Sequence, residues 1–270
     1  MSEELPTQPD PSESPEKSAS APAAGFSIRT ILPNLVTLLA FVSGVTAIRF
    51  GLAGKWDLAI TAILVAGVLD ALDGTVARLL RSTSRFGAEL DSLSDIVAFG
   101  LAPAIVVYLW SLDGLDRLGW AISTLYSIAM ALRLARFNSR LDAQEDQHKR
   151  LGYLTGVPAP AGAGLLLSPI MLDDIAPGLA LDTFPVFVGI YTVLISLLMI
   201  STIPTIGLKG LRVSKQLLTP LMLFLGMMIA GLFVNAWVVC LIIAVGYLAS
   251  MPPVYLAYRK RLRQKAWKAD

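Results

Sequence analysis

Cysteine, histidine and charged residues are scarce in this sequence. Its 270 residues include one cysteine, Cys240, and one histidine, His148, and only 16% of them are Asp, Glu, Lys or Arg. A single cysteine excludes an intramolecular disulfide, and the scarcity of both residue types argues against a zinc site. The low charge also leaves too little polar surface to cover a soluble globular protein of this length.

Long apolar segments occupy most of the chain instead. Hydrophobic residues make up 55% of the sequence, and the mean hydropathy is +0.65. A helix needs about 20 apolar residues to cross the hydrocarbon layer of a membrane. By this criterion the sequence predicts about eight transmembrane spans, which are Asn34–Gly51, Trp56–Leu80, Phe86–Leu112, Leu118–Phe137, Ala159–Leu172, Phe184–Ile203, Leu218–Val234 and Ala236–Tyr258. The predicted fold class is therefore an all-α integral membrane protein.

The two ends of the chain are polar and flank the membrane domain predicted for residues 26–258. Residues 1–25 are rich in Pro, Ser, Glu and Ala, which predicts a disordered tail, and residues 259–270 form a basic tail. Basic residues also follow the second, fourth and sixth spans, whereas the opposite connections, Ser111–Arg117 and Asp173–Asp182, are acidic. The positive-inside rule therefore places both termini in the cytoplasm.

Four aspartates interrupt the second and third spans. Asp70 and Asp73 are spaced i, i+3, and Asp91 and Asp95 are spaced i, i+4, so each pair shares one face of its helix. The connection between the two spans is short, which predicts that the helices are antiparallel neighbours and that the two faces meet. An ionised carboxylate at membrane depth is costly without a partner, so this arrangement predicts a bound cation.

The chemistry of these side chains narrows the kind of cation. A site built only from carboxylate oxygens favours a hard ion such as magnesium, manganese or calcium. Two carboxylate pairs can support two metals about 4 Å apart, a spacing that suits the binding of phosphate oxygens during their transfer. The sequence therefore predicts a divalent metal site that handles a phosphate-containing ligand.

Two glycines and one arginine accompany the aspartates. Gly74 follows Asp73 inside a helix, where glycine costs about 1 kcal/mol relative to alanine. Either a ligand approaches the backbone there, or the glycine allows tight helix packing, and the same alternatives hold for Gly87. Arg78 lies one turn beyond Gly74 and either neutralises a phosphate or anchors a helix end at the membrane surface.

Together these residues resemble the signature of the CDP-alcohol phosphatidyltransferase family. The eight matching positions are Asp70, Asp73, Gly74, Ala77, Arg78, Gly87, Asp91 and Asp95. The resemblance implies that Asp70, Asp73 and Asp91 bind metal, and that Asp95 both binds metal and acts as the base for the acceptor alcohol. It further implies a homodimer and a six-helix catalytic core followed by two C-terminal helices.

Further segments resemble the phosphatidylserine synthase branch of that family, namely Pro33–Thr37, Ser94–Pro103, Arg133–Asn138, Gly156–Pro160 and, more loosely, Ser201–Lys215. The residues implied to bind the CDP group are Asn34, Thr37, Asp70, Gly74, Arg78, Thr83 and Gly87. Those implied to meet a lipid phosphate or the serine are Arg133, Arg136 and Asn138. On chemistry alone, the two arginines also suit positive-inside anchoring, and Asn34 and Thr37 also suit hydrogen bonds between helices.

The activity implied is the transfer of a phosphatidyl group from CDP-diacylglycerol to L-serine, with release of CMP. Magnesium or manganese would be the cofactor, with calcium as a substitute, and the active site would open to the cytoplasmic side of the membrane, the inner membrane in a bacterium. The partners expected are these substrates and the lipid bilayer, with no nucleic acid. Two alternatives stay open: another acceptor (glycerol phosphate, inositol, inositol phosphate or choline), or a cation transporter whose carboxylates are ion ligands only.

Overall fold

The computed structural model describes residues 28–80, 84–142, 153–201, 204–206 and 215–266. The predicted N-terminal tail, Thr83 and His148 lie outside these residues, as does the end of the predicted basic tail.

Helices make up almost all of the described chain. They are α1 (Ile28–Leu52), α2 (Trp56–Leu79), α3 (Arg85–Trp110), α4 (Asp116–Asp142), α5 (Ala159–Ile175), α6 (Pro185–Ile200), α7 (Lys215–Val234) and α8 (Ala236–Ala266). Two short strands, β1 (Tyr153–Thr155) and β2 (Pro204–Ile206), pair in antiparallel register. The predicted helical class is confirmed, and the two-stranded ribbon is a feature that the sequence did not predict.

The number of membrane spans differs from the prediction. Within the described residues, five helices are long and apolar enough to cross a membrane: Ile31–Leu52, Trp56–Leu79, Arg85–Trp110, Leu112–Ser139 and Ala236–Leu256. A sixth is added if α5 and the helical turns of Pro177–Thr183, bent by 98° from each other, count as one span. Because α6 and the apolar part of α7 are shorter, the count of eight spans is not confirmed.

A glycine turn fixes the connection between α1 and α2. The amide of Gly54 donates to the carbonyl of Gly51 at 3.0 Å, and the amide of Lys55 donates to that of Phe50 at 3.0 Å. These bonds form a Schellman motif, whose capping residue adopts the left-handed conformation that glycine tolerates best. Gly54 has that conformation, with φ of +66°. The turn brings α2 back against α1, and the two helices pack together along their length.

The short helix α5 is the centre of the fold. Its consecutive residues Leu165, Leu166 and Leu167 are all buried. Successive side chains of a helix point about 100° apart, so neighbours must surround α5. Helices α2, α3, α6 and α8 supply these contacts. Gly162 permits the close approach of α6, because a Cβ at this position would lie 2.8 Å from the sulfur of Met199.

A π-helical turn, Ile96–Leu101, divides α3 immediately after Asp95. The amide of Ala102 donates to the carbonyl of Val97, five residues earlier, instead of four. In an unbroken α-helix, Val106 would lie about three turns after Asp95 and on the same face of the helix. A π turn adds one residue and rotates the following helix by about 100°. Val106 is therefore turned into the core, where it is fully buried.

Pro103 and Tyr126 complete this turn. Pro103 has no N–H, so it cannot donate to the carbonyl of Phe99 as the fourth residue of a regular helix would. The hydroxyl of Tyr126, on α4, donates to that carbonyl at 3.1 Å. The hydroxyl of Ser127 lies 3.3 Å from the carbonyls of both Gly100 and Ser123 and can donate to either. Tyr126 of α4 thus satisfies a backbone carbonyl that the π turn and Pro103 leave available.

We expect Tyr126→Phe to destabilise the protein by about 1 kcal/mol, because it removes a hydrogen bond from a buried carbonyl. The measurement is the midpoint of thermal unfolding of the purified protein in detergent. Tyr108→Phe is the matched control, since its hydroxyl donates to Asp113 Oδ1 at 2.9 Å in an exposed position. An equal decrease of the unfolding midpoint in both variants would show that the hydrogen bond of Tyr126 does not stabilise the π turn.

Candidate active site

Three of the four aspartates converge where α2 faces α3. Asp70, Asp91 and Asp95 each offer one carboxylate oxygen, and these oxygens lie within 4.8 Å of one another. Asp70 is within hydrogen-bonding reach of both Asp91 and Asp95. All three side chains are partly buried. The i, i+4 pair on α3 therefore meets the first aspartate of α2, as the helical spacing predicted.

The donor set of this carboxylate trio fits a divalent metal ion. Negative charges this close repel one another unless a cation or a proton lies between them. The ligands are all hard oxygens, which suit magnesium, manganese or calcium. The positive charge of Arg133, on α4, also acts on Asp95. An ion with two charges would balance the trio more fully than this single arginine can.

Asp73 lies beside the trio but is held differently. Its side chain is only 6% exposed, and its Oδ2 accepts a hydrogen bond from Thr37 Oγ1 at 2.6 Å. Thr37 belongs to α1 and is itself buried. The hydroxyl of Ser94, on α3, donates to the carbonyl of Thr37 at 3.2 Å. Thr37 of α1 therefore connects the two helices that carry the aspartates, α2 through its side chain and α3 through its backbone carbonyl.

A cleft of about 170 Å³ opens next to these carboxylates. Its lining comes from three helices and the residue before α3: Pro33, Asn34 and Thr37 of α1, Asp73, Gly74 and Ala77 of α2, and Ser84, Gly87, Ala88 and Asp91. The first part of α3, Arg85–Asp95, packs against α1, whereas α2 packs against the later part of α3. The helices predicted to be neighbours thus separate at the cleft, and α1 forms its third wall.

The two glycines of the pattern differ in their surroundings. A Cβ at Gly74 would meet no atom within 4 Å. A Cβ at Gly87 would lie 2.9 Å from Asn34 Oδ1 and 3.1 Å from Ser84 Oγ. Close packing therefore accounts for Gly87 but not for Gly74. Gly74 lies on the open wall of the cleft, where a ligand can approach the backbone.

The cationic side chains bond to the backbone. Arg78 is exposed, and its Nε donates to the carbonyl of Gly74 at 2.9 Å, so its side chain folds back on α2. Arg133 Nε donates to the carbonyl of Val157. Arg136 Nη1 donates to the carbonyl of Ile200, the last residue of α6, at 2.6 Å. Arg133 and Arg136 therefore bind the segments next to β1 and β2. Arg78 is not part of the cleft lining.

Asn138 connects the end of α4 to α3. Its Nδ2 donates to Ser92 Oγ at 2.9 Å. Ser92 follows Asp91 directly, so this bond holds α4 next to a residue of the carboxylate trio.

Sequence reasoning missed two serines of the site. Ser84 caps α3, because its Oγ accepts from the amide of Gly87 at 3.0 Å. A serine directly before a helix is a recognisable capping signal, so this residue was within reach of the sequence. Ser94 carries no comparable signal, because its bond to Thr37 joins residues of two helices that are distant in sequence.

Comparison with known proteins agrees with this geometry. The profile of the family described as CDP-alcohol phosphatidyltransferase matches residues 30–198, which is more than half of the chain. The chain therefore belongs to the CDP-alcohol phosphatidyltransferase family. The matched region contains the four aspartates, Arg133 and Arg136.

Several relatives carry the name CDP-diacylglycerol–serine O-phosphatidyltransferase. The chain is 36% identical to one from Mycobacterium leprae over 222 residues, 82% of this chain and 73% of that protein. It is 34% identical to one from Helicobacter pylori over 197 residues, 73% of this chain and 81% of that protein. It is 37% identical to one from Methanocaldococcus jannaschii over 180 residues, 66% of this chain and 76% of that protein.

The open surroundings of Gly74 allow a test of its role. We expect Gly74→Ala to fold with an unchanged or higher unfolding midpoint, since alanine favours the helix by about 1 kcal/mol and meets no neighbour. We expect the same variant to bind CDP more weakly, because its methyl group occupies the wall of the cleft. Calorimetric titration with CDP in the presence of manganese measures this binding.

Gly246→Ala provides the control, because a Cβ there also meets nothing within 4 Å and the residue lies on α8, outside the cleft lining. A destabilised Gly74→Ala variant, or one that binds CDP as wild type does, would contradict the assignment of Gly74 to ligand approach.

Proposed function

We propose that this protein transfers a phosphatidyl group from CDP-diacylglycerol to the hydroxyl group of L-serine, producing phosphatidylserine and CMP. The observation that carries the proposal is the convergence of Asp70, Asp91 and Asp95 beside a cleft, in a chain of this family. The relatives named for serine transfer support the choice of acceptor.

The carboxylate trio and Asp73 would hold a divalent ion, magnesium or manganese, with calcium as a substitute. Such an ion supplies positive charge for the pyrophosphate of the CDP-lipid and for the charge that develops during transfer. The protein itself mainly positions the reacting groups and stabilises charge, as in other phosphoryl transfers. The placement of the carboxylates on two rigid helices suits that task.

Asp95 is the residue we assign as the base. It is the member of the trio that directly precedes the π turn, and Arg133 lies near enough to act on it electrostatically. In the proposed reaction the proton of the serine hydroxyl moves to Asp95. The serine oxygen forms a bond to the phosphorus next to the diacylglycerol, and the bond from that phosphorus to the CMP oxygen breaks. The electron pair of the broken bond leaves with CMP.

The remaining substrate contacts follow from the walls of the site. Asn34, Gly74 and Gly87 line the cleft and are proposed to bind the nucleotide. Arg133 and Arg136 each use one nitrogen for a backbone carbonyl, and the rest of the planar guanidinium suits a phosphate or carboxylate. Asn138 is proposed to contribute to the same acceptor region. Contact of Arg78 or Thr83 with the nucleotide stays a prediction.

The position and orientation of the protein in the membrane are proposed from the charge pattern and the apolar helices. Residues 26–258 would form the membrane domain, with both termini and the opening of the active site on the cytoplasmic side. In a bacterium this places the protein in the inner membrane. Two copies are proposed to form a homodimer.

An acceptor assay tests the proposed reaction. Purified protein receives CDP-diacylglycerol, manganese or magnesium, and one alcohol at a time: serine, glycerol phosphate, inositol, inositol phosphate or choline. We expect phosphatidylserine and equimolar CMP with serine, and little product with the others. Turnover of another alcohol in preference to serine would contradict the assignment of serine as the acceptor. CMP release that is absent or independent of metal would contradict the reaction class.

The assignment of Asp95 as base has its own test. We expect Asp95→Asn to lower kcat by about 10²–10⁴-fold, the range that a positioned general base contributes. Glu89→Gln is the matched control, because Glu89 is an exposed acid of the same helix. For both variants the measurement is the initial rate of serine incorporation into lipid at saturating metal. Substantial turnover by Asp95→Asn would show that another group accepts the proton.

A further inference from the structure

Thr37 occupies the point at which α1, α2 and α3 meet. Its side chain is 4% exposed. Its Oγ1 lies 2.6 Å from Asp73 Oδ2 and 3.2 Å from the carbonyl of Pro33. Its own carbonyl accepts a hydrogen bond from Ser94 at 3.2 Å. Thr37, a residue of α1, is thus hydrogen-bonded to both α2 and α3.

The hydroxyl of Thr37 has one hydrogen to donate, and the two distances indicate where it goes. Hydrogen bonds from a hydroxyl to a carboxylate are about 2.5–2.7 Å long, shorter than bonds between neutral groups. The separation of 2.6 Å from Asp73 falls in that range, whereas 3.2 Å from Pro33 is long for an O–H donor. The hydrogen therefore points to Asp73 and is not available to a nucleotide.

The position of Thr37 on α1 also restricts its side chain. Threonine is branched at Cβ, and in a helix few χ1 rotamers are open to it. One of them brings Oγ1 close to the carbonyl four residues earlier, which here is Pro33. In this rotamer the same oxygen reaches Asp73 on α2. The backbone of α1 therefore determines where the Asp73 carboxylate is held.

We infer that Thr37 is a positioning residue that acts through Asp73, fixing the orientation of this carboxylate for the divalent ion, and that it does not read the nucleotide. The inference rests on the proposed function, because it assumes that Asp73 contributes to the metal site. Groups that hydrogen-bond a metal ligand commonly change metal affinity by about 10–100-fold when they are replaced. Replacement of Thr37 is expected to change the metal affinity by a factor in that range.

The experiment compares Thr37→Val, which removes the hydroxyl at constant shape, with Thr37→Ser, which keeps it. Ser43→Ala is the matched control, because Ser43 Oγ also connects α1 to α2, by donating to the carbonyl of Ala62 at 2.8 Å. Binding of Mn²⁺ to the purified full-length protein, without substrates, is measured from the electron paramagnetic resonance signal of the free ion. The KM for CDP-diacylglycerol is measured separately at saturating manganese.

We expect Thr37→Val to weaken Mn²⁺ binding about 10–100-fold, Thr37→Ser to recover most of the affinity, and Ser43→Ala to bind as wild type does. We expect the KM for CDP-diacylglycerol of Thr37→Val to stay within about twofold, because the ordering of Asp73 is a metal-site effect. If Thr37→Val fails to fold, Thr37→Ala removes the same hydroxyl and replaces it in each comparison.

A double variant tests whether the effect passes through Asp73. In an Asp73→Asn background, Thr37→Val is expected to cause no further loss of Mn²⁺ affinity, because two residues that act as one unit are not additive. Additive losses would overturn the inference, as would normal Mn²⁺ binding by Thr37→Val together with a raised KM for the CDP-lipid. Failure of the wild-type protein to bind Mn²⁺ would instead contradict the proposed function itself.

Discussion

Repulsion among three carboxylates is the constraint on which this structure depends. Asp70, Asp91 and Asp95 bring their oxygens within 4.8 Å of one another in a partly buried position. Such an arrangement is stable only when positive charge or protons lie among the oxygens. The placement of α2 against α3, the third wall formed by α1 and the nearby charge of Arg133 are all consistent with a site built to gather a divalent ion.

The surrounding helices hold these carboxylates in place. The π turn after Asp95 lets one face of α3 carry the site while the next part of the helix packs in the core. Tyr126 satisfies the carbonyl of Phe99 in that turn, and Asn138 binds Ser92 beside Asp91. The bonds of Tyr126 and Asn138 therefore join α4 to α3 on both sides of Asp95.

Sequence reasoning found the parts of the site that local spacing determines. The i, i+3 and i, i+4 aspartates needed only helical periodicity. Apolar length located the helices but not all of their ends, since α1 begins at Ile28 instead of Asn34 and α8 continues past Tyr258 to Ala266. Two features were beyond it because they depend on contacts between distant segments. The bond from Thr37 to Asp73 spans 36 positions, and the ribbon pairs β1 with a strand that lies beyond α6. The count of eight spans is not confirmed, because apolar length alone does not show how a helix packs: α5 is short, yet neighbours enclose it.

The most direct measurement is the location of Mn²⁺ by anomalous X-ray scattering from crystals of the full chain grown with manganese. We expect an anomalous peak among the carboxylates of Asp70, Asp91 and Asp95, with Asp73 at its edge. Ordered Mn²⁺ elsewhere with nothing at these residues, or carboxylates turned away from one another in the metal-loaded protein, would contradict it.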